Sequence, residues 1–241
     1  MSLDLQGFDA LTFDCYGTLV DWERGILDAL APLFASHGAP SPGADALLER
    51  FGRAESDVQA GPFLSYRDVL RAVARRLGEE AGFTPSDAES SAFAGSVGAW
   101  PPFPDTVPAL RALAGRYRLA VVSNVDDDLF AATATKLGVA FDAVVTAQQV
   151  RSYKPAPAHF HEVLRRLALP RERVLHVAQS LYHDVAPARA LGFACVWVNR
   201  RAGRMGPGAT VPASATPDLE VRDLATLARL AGLESDPHPA R

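Results

Sequence analysis

The stretch Phe13-Asp14-Cys15-Tyr16-Gly17-Thr18-Leu19 decides the fold prediction for this chain. It ends an apolar run that starts at Phe8 and has the length and composition of a buried strand. Gly17 then marks a turn in which little side-chain bulk is tolerated. Asp14 therefore stands at the carboxyl end of a strand, where open α/β sheets place their ligand sites. The alternative is an aspartate that only caps the following turn.

Four more apolar, β-branched runs of strand length follow in the second half of the chain, with helical patterns between them. They cover residues 119–123, 143–146, 174–178 and 194–198. Strands that alternate with helices in this way pair in parallel and carry helices on both faces of the sheet. The first strand must join them, because alone it could not bury its two apolar faces. We therefore predict an α/β fold with a doubly wound parallel sheet.

Residues 21–100 contain only helical patterns separated by turn signals, which predicts a four-helix subdomain inserted after the first strand. The segment Trp100-Pro101-Pro102-Phe103-Pro104 ends it, since neither a helix nor a central strand could cross these prolines. The predicted domains are an α/β core of residues 1–20 and 101–241 and a helical cap of residues 21–100.

The composition is that of an ordinary soluble globular protein, with 48% hydrophobic and 22% charged residues in a chain of 241. A formal charge of −4 and the lack of a basic run argue against nucleic acid or an anionic membrane as partner. The apolar stretches are too short to span a bilayer, and the first ten residues lack the features of a signal peptide. The two cysteines, Cys15 and Cys195, are expected to be buried free thiols, which favours a cytoplasmic location.

Polar residues follow four of the predicted strands, beginning with Asp14 after the first. Ser123 and Asn124 come after the second strand, Lys154 after the third, and the segment 180–184 after the fourth. The carboxyl ends of parallel strands meet at one edge of a sheet, so these residues are expected to converge on Asp14. Taken singly, each also fits a helix cap or a surface charge.

The pattern D-x-Y-G-T-L and the ordered polar strand ends resemble the haloacid dehalogenase superfamily over nearly the whole chain. The resemblance implies a Rossmann-like core with a helical cap, and Asp14 as a covalent nucleophile. Most of that superfamily has a second aspartate two residues after the nucleophile, which acts as general acid in phosphoryl transfer. Tyr16 occupies that position here. Tyrosine at this place is similar to the L-2-haloacid dehalogenase (type II) branch, which cleaves carbon–halogen bonds without metal.

The resemblance also implies roles for the other polar residues. Ser123 and Thr18 would orient Asp14 and the substrate carboxylate. Lys154 would neutralise the charge around Asp14, and Asp184 would hold or deprotonate the hydrolytic water. The residues expected to bind the substrate or the halide are Cys15, Tyr16, Arg50, Asn124 and Ser180.

Arg50 is expected on the second cap helix, at the place of the arginine that receives the leaving halide in the dehalogenases. Arg53, one helical turn away, is the second candidate. The alternative is a solvated arginine paired with Glu49 or Glu55. Two further second-tier residues are His183, as a proton carrier or a capping or core residue, and Gln179.

Two positions argue against a metal. The phosphatases of the superfamily have an aspartate four residues before the acid that matches Asp184, and here that residue is Ser180. Together with Tyr16, the site has lost two acidic groups that would hold magnesium, so we predict neither a metal nor another cofactor. The chain also departs from the usual dehalogenase pattern at Phe160, Gln179 and Leu181.

The predicted function is hydrolytic dehalogenation of a small 2-haloacid to the 2-hydroxy acid, through an ester on Asp14. One alternative is a magnesium-dependent phosphatase of the same superfamily, acting on a small phosphorylated metabolite. Another is a non-catalytic protein that kept the fold and a pocket for a small acid. The only partner predicted from the residues is the small-molecule substrate, and a homodimer is a family expectation.

Overall fold

The computed structural model describes residues 3–233, and a six-stranded sheet forms its centre. The strands are β1 (Ala10–Phe13), β2 (Arg118–Ser123), β3 (Ala143–Thr146), β4 (Val174–Ala178), β5 (Ala194–Val198) and β6 (Leu219–Val221). Their order is β3-β2-β1-β4-β5-β6, and every neighbouring pair is parallel. The predicted doubly wound parallel sheet is therefore confirmed.

The chain reverses its winding between β1 and β4, which lie side by side at the middle of the sheet. From β1 it proceeds outward through β2 and β3, and from β4 it proceeds outward through β5 and β6. All four residues of β1 are buried, because a strand is paired on each side and helices cover both faces. The crevice at the carboxyl ends of strands at such a reversal is the usual ligand site of open α/β sheets.

The two faces of the sheet belong to two apolar clusters, as the alternation of side chains along a strand requires. Leu11 and Phe13 of β1 face the larger cluster, which continues into the helices after β1. Ala10 faces the smaller cluster, which contains Phe160 and Val163. A strand buried on both faces needs apolar residues at successive positions, which explains the uninterrupted apolar runs in the sequence.

Four helices come between β1 and β2 before the chain returns to the sheet: α1 (Trp22–Ser36), α2 (Ala44–Gln59), α3 (Tyr66–Glu80) and α4 (Asp87–Gly95). A 3-10 turn, Ser96–Ala99, follows them. The two connections to the sheet run next to each other, since the Asp21 N–H donates to the Pro101 carbonyl (2.8 Å). We refer to α1–α4 and this turn as the helical insertion. Of the predicted core, residues 1–2 and 234–241 lie outside the described residues.

The remaining helices flank the sheet: α5 (Thr106–Ala114), α6 (Asp127–Leu137), α7 (Ala147–Val150), α8 (Ala158–Leu167), α9 (Ala186–Ala190) and α10 (Leu224–Leu230). A π-helical turn, Leu181–Val185, links β4 to α9 and contains Asp184. The cap of this turn is Ser180, whose hydroxyl accepts from the His183 N–H (2.9 Å). Asp184 is therefore not a helix cap. Among residues 3–233, no helix has the length and apolar character needed to cross a membrane.

Candidate active site

Asp14 lies directly after β1, and both of its carboxylate oxygens are hydrogen-bonded. Thr18 Oγ1 donates to Oδ2 (2.8 Å), and Lys154 Nζ donates to Oδ1 (2.9 Å). The turn that brings Thr18 back to Asp14 depends on Gly17, which has φ +94°. A Cβ at Gly17 would also lie 2.9 Å from Nε1 of Trp22, so only glycine fits this turn. The turn thus presents Asp14 and Thr18 as one unit.

Lys154 is the central cation of the site, and its side chain is 1% exposed. Its ammonium donates to Asp14 Oδ1 (2.9 Å), Asp184 Oδ1 (2.6 Å) and the Val122 carbonyl (2.9 Å), which uses all three protons. Asn124 fixes the backbone of Lys154, since its Oδ1 accepts from the Lys154 N–H (2.7 Å) and its Nδ2 donates to the Lys154 carbonyl (3.1 Å). One buried positive charge therefore lies between two buried carboxylates.

Asp184 is held by a chain of buried groups that includes a residue not predicted from the sequence. His176 of β4 bonds Asp184 Oδ1 through Nε2 (3.1 Å) and Thr12 Oγ1 through Nδ1 (3.0 Å). Among the described residues, Asp184 Oδ2 has no hydrogen-bond partner. Because Oδ1 is occupied by Lys154 and His176, Oδ2 is the oxygen left for another group.

The buried charges shift the pKa values of both carboxyls, in opposite directions. Burial raises the pKa of Asp14 above its ordinary value of 3.8, although the Lys154 ammonium opposes this rise. Burial would also raise the pKa of Asp184, but Lys154 and the His176 hydrogen bond outweigh it and lower that pKa to about 2. Asp14 is therefore the more basic of the two carboxylates, and Asp184 stays ionised across the physiological pH range.

A small cavity of about 30 Å³ lies over this group, at the carboxyl edge of the sheet. At ~10–15 Å³ for each water, it holds about two water molecules. Its lining combines residues of the sheet edge with residues of the helical insertion and of the loop before β6. They are Asp14, Tyr16, Trp22, Glu55, Gln59, Tyr66, Ser123, Asn124, Lys154, Gln179, Ser180, His183, Asp184 and Thr210.

Most of the predicted polar residues meet at this cavity. Ser123 and Ser180 line it, and the buried Ser123 hydroxyl has no hydrogen-bond partner among the described residues. Tyr16 lines it with its ring, while its hydroxyl bonds Thr133 Oγ1 (3.0 Å). His183 lines it as well, and burial lowers the pKa of its imidazole to about 4, so the ring is neutral at pH 7. The convergence predicted from the strand ends is present.

A family model for haloacid dehalogenase-like hydrolases matches residues 8–192, which include every residue of the cavity lining except Thr210. The chain belongs to the haloacid dehalogenase-like hydrolases. It is 27% identical over 234 residues to the (S)-2-haloacid dehalogenase H-109 of Pseudomonas putida, with 91% of this chain and 96% of that protein covered. It is also 27% identical over 196 residues to the phosphoglycolate phosphatase of Photorhabdus laumondii, with 80% of each chain covered.

Among solved structures, the L-2-haloacid dehalogenase PA0810 superposes on this hydrolase with a TM-score of 0.78. The two chains are 27% identical, and the match covers 93% of this chain and 99% of the other. The family and fold predicted from the sequence are therefore confirmed.

Two residues that the resemblance assigned to substrate or halide binding are absent from the lining of the cavity. The first is Cys15, whose side chain is fully buried and absent from the lining. Burial also raises the pKa of its thiol well above 9.0, so it is a neutral packing group. Alternation along the extended chain accounts for this, because a residue next to Asp14 points the opposite way.

The second is Arg50. Neither Arg50 nor Arg53, the second candidate, lines the cavity, because α2 turns a different face toward it. Glu55 and Gln59 line it, one helical turn apart, whereas Arg50 is half-buried outside it and Arg53 is exposed. At about 100° per residue, Arg50 and Arg53 lie about 140° and 160° around the helix from Glu55. The absence of both arginines from the cavity lining argues against the prediction that an arginine of α2 faces the leaving group.

This geometry gives a direct prediction for Arg50. Arg50→Ala is expected to leave halide release from a 2-haloacid within about threefold of the unmodified enzyme, since surface charges away from a site contribute little. Steady-state rates of halide release measure it. A loss of two orders of magnitude or more would show that α2 presents Arg50 to the substrate after all.

The helical insertion instead contributes a buried acid, Glu55, which the sequence did not identify as a site residue. It is 4% exposed, and its Oε1 accepts from the Tyr66 hydroxyl (2.7 Å). Burial raises the pKa of Glu55 to about 7. Tyr66 is in turn fixed to the sheet edge, because Asp126 accepts from the backbone N–H groups of Tyr66 (2.8 Å) and Arg67 (3.0 Å). Core and insertion are thus tied together at the cavity.

Proposed function

We propose that this hydrolase converts a small 2-haloacid into the 2-hydroxy acid through an ester on Asp14. The observation that supports it most is the pairing of Asp14 with Lys154 and Thr18, while Tyr16 and Ser180 stand where a phosphatase would have acids. A buried carboxylate beside a fixed ammonium stays available as an oxygen nucleophile. Similarity to the haloacid dehalogenases over almost the full chain points to the same reaction.

In the first step, Asp14 attacks the halogen-bearing carbon from the side opposite the halogen. A carbon–oxygen bond forms, the carbon–halogen bond breaks, and its electron pair leaves with the halide. The substrate carboxylate accepts from the unpartnered Ser123 hydroxyl. The N–H groups of Cys15 and Tyr16, which make no hydrogen bond among the described residues, are further donors at the same turn.

In the second step, water attacks the carbonyl carbon of the Asp14 ester. Asp184 Oδ2, which is buried and without a partner in the described part of the chain, accepts a hydrogen bond from this water. The Lys154 ammonium stabilises the negative charge that develops on the Asp14 oxygen it already contacts. The tetrahedral intermediate then collapses, one proton of the water passes to the departing oxygen of the 2-hydroxy acid, the other proton is released, and the carboxylate of Asp14 is restored.

Magnesium, which serves the phosphatases of this superfamily, does not fit the donors present. Magnesium requires several hard oxygen ligands in an octahedral array. Tyr16 supplies no carboxylate and its hydroxyl is bonded to Thr133, while Asp184 Oδ1 is occupied by Lys154 and His176. Within residues 3–233, no group of three or more histidines, cysteines or acids is placed to bind a metal. We therefore derive no step through a metal, and propose metal-independent turnover.

The substrate is expected to be a small free acid, since the cavity is only about 30 Å³. The reaction is expected to take place in the cytoplasm. The helical segment 21–100 is proposed to act as a cap over the core formed by residues 1–20 and 101–241, and the homodimer remains a family expectation.

The experiment is a panel of chloroacetate, 2-chloropropionate, fluoroacetate, phosphoglycolate and p-nitrophenyl phosphate, each assayed with excess EDTA and with magnesium. We expect halide release that EDTA leaves unchanged, and no phosphate release. Phosphate release that requires magnesium would identify a phosphatase. Binding of haloacids without release of either ion would identify a non-catalytic protein.

A further inference from the structure

The helical insertion forms part of the cavity wall above the sheet edge where Asp14 lies, and that part contains an acid, Glu55. Backside displacement places the leaving atom on the far side of the substrate carbon from the nucleophile. The residues that the helical insertion contributes to the cavity lining are Trp22 of α1, Glu55 and Gln59 of α2, and Tyr66 of α3. None of these four is a cation, and neither Arg50 nor Arg53 reaches the cavity. A leaving group that departs toward the helical insertion would therefore meet neutral donors and a carboxyl.

We propose that Glu55 is the proton donor to the departing halide, and that the enzyme is adapted to fluoride, the halide that gains most from a proton. This inference rests on the proposed dehalogenation. The geometry supports it in two ways. Oε1 of Glu55 is fixed by the Tyr66 hydroxyl (2.7 Å), and Oε2 makes no hydrogen bond among the described residues. Oε2 is thus the free oxygen of a carboxyl whose other oxygen is held in place at the cavity wall.

An ionised Glu55 would oppose the reaction, because negative charge would develop on the leaving atom next to a buried carboxylate. Its surroundings favour the neutral form, since burial raises its pKa to about 7 and no cation bonds to it. The titratable groups that share the cavity or contact Glu55 are Asp14, Tyr16, Tyr66, Tyr153, Lys154, His183 and Asp184. Of these groups, Lys154 is the one cation, and its ammonium already donates hydrogen bonds to Asp14 and Asp184.

The proton that Glu55 gives to the halide can be replaced by the proton that ester hydrolysis releases. As the carbon–fluorine bond breaks, its electron pair goes to fluorine and the Glu55 proton follows, which leaves a carboxylate on Glu55. Hydrolysis of the Asp14 ester releases one proton from the attacking water. Glu55, with a pKa of about 7, is better matched to take up this proton than Asp184, whose pKa is about 2. The cycle consumes one water and releases one proton and one halide.

The test compares the unmodified enzyme with Glu55→Gln, which keeps the size and a hydrogen-bond donor but cannot give up a proton. Asp57→Asn is the matched control, since Asp57 is an exposed acid on the same helix that pairs with Arg76 (2.7 Å) outside the cavity. Fluoride and chloride release are measured on fluoroacetate and chloroacetate from pH 5 to pH 9.

We expect the unmodified enzyme and Asp57→Asn to lose activity above about pH 7, approaching tenfold per pH unit, because the reactive form is the protonated one. Glu55→Gln is expected to lack this decline, and to lower fluoride release at least tenfold more than chloride release. A decline above pH 7 that persists in Glu55→Gln, or equal effects on the two halides, would overturn the proposal. If neither the unmodified enzyme nor either variant releases any halide, the proposed dehalogenation itself is refuted.

Thermal melting provides a readout that does not depend on turnover. A carboxyl with a folded-state pKa near 7 binds its proton more tightly in the folded than in the unfolded chain, so stability falls as pH rises from about 4.5 to about 7. The melting temperature of the unmodified enzyme should therefore fall between pH 5 and pH 8 by more than that of Glu55→Gln. Equal falls in the two proteins would show that Glu55 is not held in its neutral form.

Discussion

Asp14→Asn is expected to abolish steady halide release, with a loss of roughly 10⁴-fold or more, the scale found when a covalent nucleophile is removed. The physical reason is that a neutral amide oxygen is a poor nucleophile toward saturated carbon, even when its neighbours are unchanged. Initial rates of halide release at saturating substrate measure the effect. Asn is almost isosteric with Asp, so its amide oxygen can still accept one of the two hydrogen bonds that Thr18 and Lys154 donate to Asp14, although its NH2 group cannot accept the other.

Asp9→Asn is the matched control for this loss. Asp9 precedes β1 at the opposite end from Asp14 and forms an exposed ion pair with Arg173. The same change of charge there should leave turnover within about twofold, because exposed ion pairs contribute little. If Asp14→Asn retained a tenth or more of the activity, Asp14 would not be the nucleophile.

Lys154→Met is expected to remove both activity and stability. It leaves the carboxylates of Asp14 and Asp184 buried without a counter-charge, and breaking one partner of a buried ion pair costs about 3–5 kcal/mol. Turnover should fall by at least about 10³-fold, since the charge that develops on the Asp14 ester loses its fixed cation. Urea unfolding and halide release measure the two effects.

The loss of stability in Lys154→Met should depend on pH in a defined direction. In the unmodified enzyme the pKa of Asp184 is lowered to about 2, so its contribution to stability is present above its ordinary pKa of 3.8 and disappears as pH falls through 2. In the variant both carboxyls are protonated more easily, so the destabilisation should be larger at pH 7.5 than at pH 4.5. Arg165→Met, which breaks an exposed pair with Glu162, should cost less than about 1 kcal/mol at either pH. A Lys154 variant as stable as the Arg165 variant at pH 7.5 would contradict the account.

The sheet edge of the site was predictable because parallel strands impose it. Asp14, Ser123, Lys154 and Asp184 each follow an apolar run, and parallel pairing must bring the ends of such runs together. The spacing of strands and helices therefore determined which side chains would meet, without any knowledge of their individual contacts. The hydrogen bonds of Lys154 to both aspartates are the outcome of that arrangement.

The residues that the helical insertion presents to the cavity depend on the rotation of α2 about its axis. The apolar residues Leu47, Leu48, Phe51, Ala54 and Val58 lie within about 120° around α2, and Glu55 lies among them whereas Arg50 and Arg53 do not. The assignment of Arg50 to the site came from the resemblance and not from this pattern. The helix also packs closely at Gly52. A Cβ at that position would lie 2.5 Å from the Ala209 carbonyl oxygen, in a loop more than 150 residues further along the chain. No local pattern encodes this contact, so the loop that contributes Thr210 to the cavity could not be predicted from the sequence.

His176 was missed for a different reason. It lies inside the apolar run of β4, where the pattern indicated only a buried strand. A histidine within such a run is a signal in itself, since a buried imidazole needs hydrogen-bond partners. Its partners, Thr12 and Asp184, become identifiable only when β1 is known to pair with β4 in register, which places Thr12 opposite His176.

The central claim is that an oxygen of Asp14 becomes the hydroxyl oxygen of the product, and a single turnover in heavy-oxygen water tests it most directly. Enzyme in excess over 2-chloropropionate is allowed to react once, and the product and the peptide containing Asp14 are weighed by mass spectrometry. Attack by Asp14 predicts an unlabelled 2-hydroxy acid and one heavy oxygen in the Asp14 side chain. A labelled product with an unlabelled Asp14 would show that water attacks the substrate directly and would contradict the account.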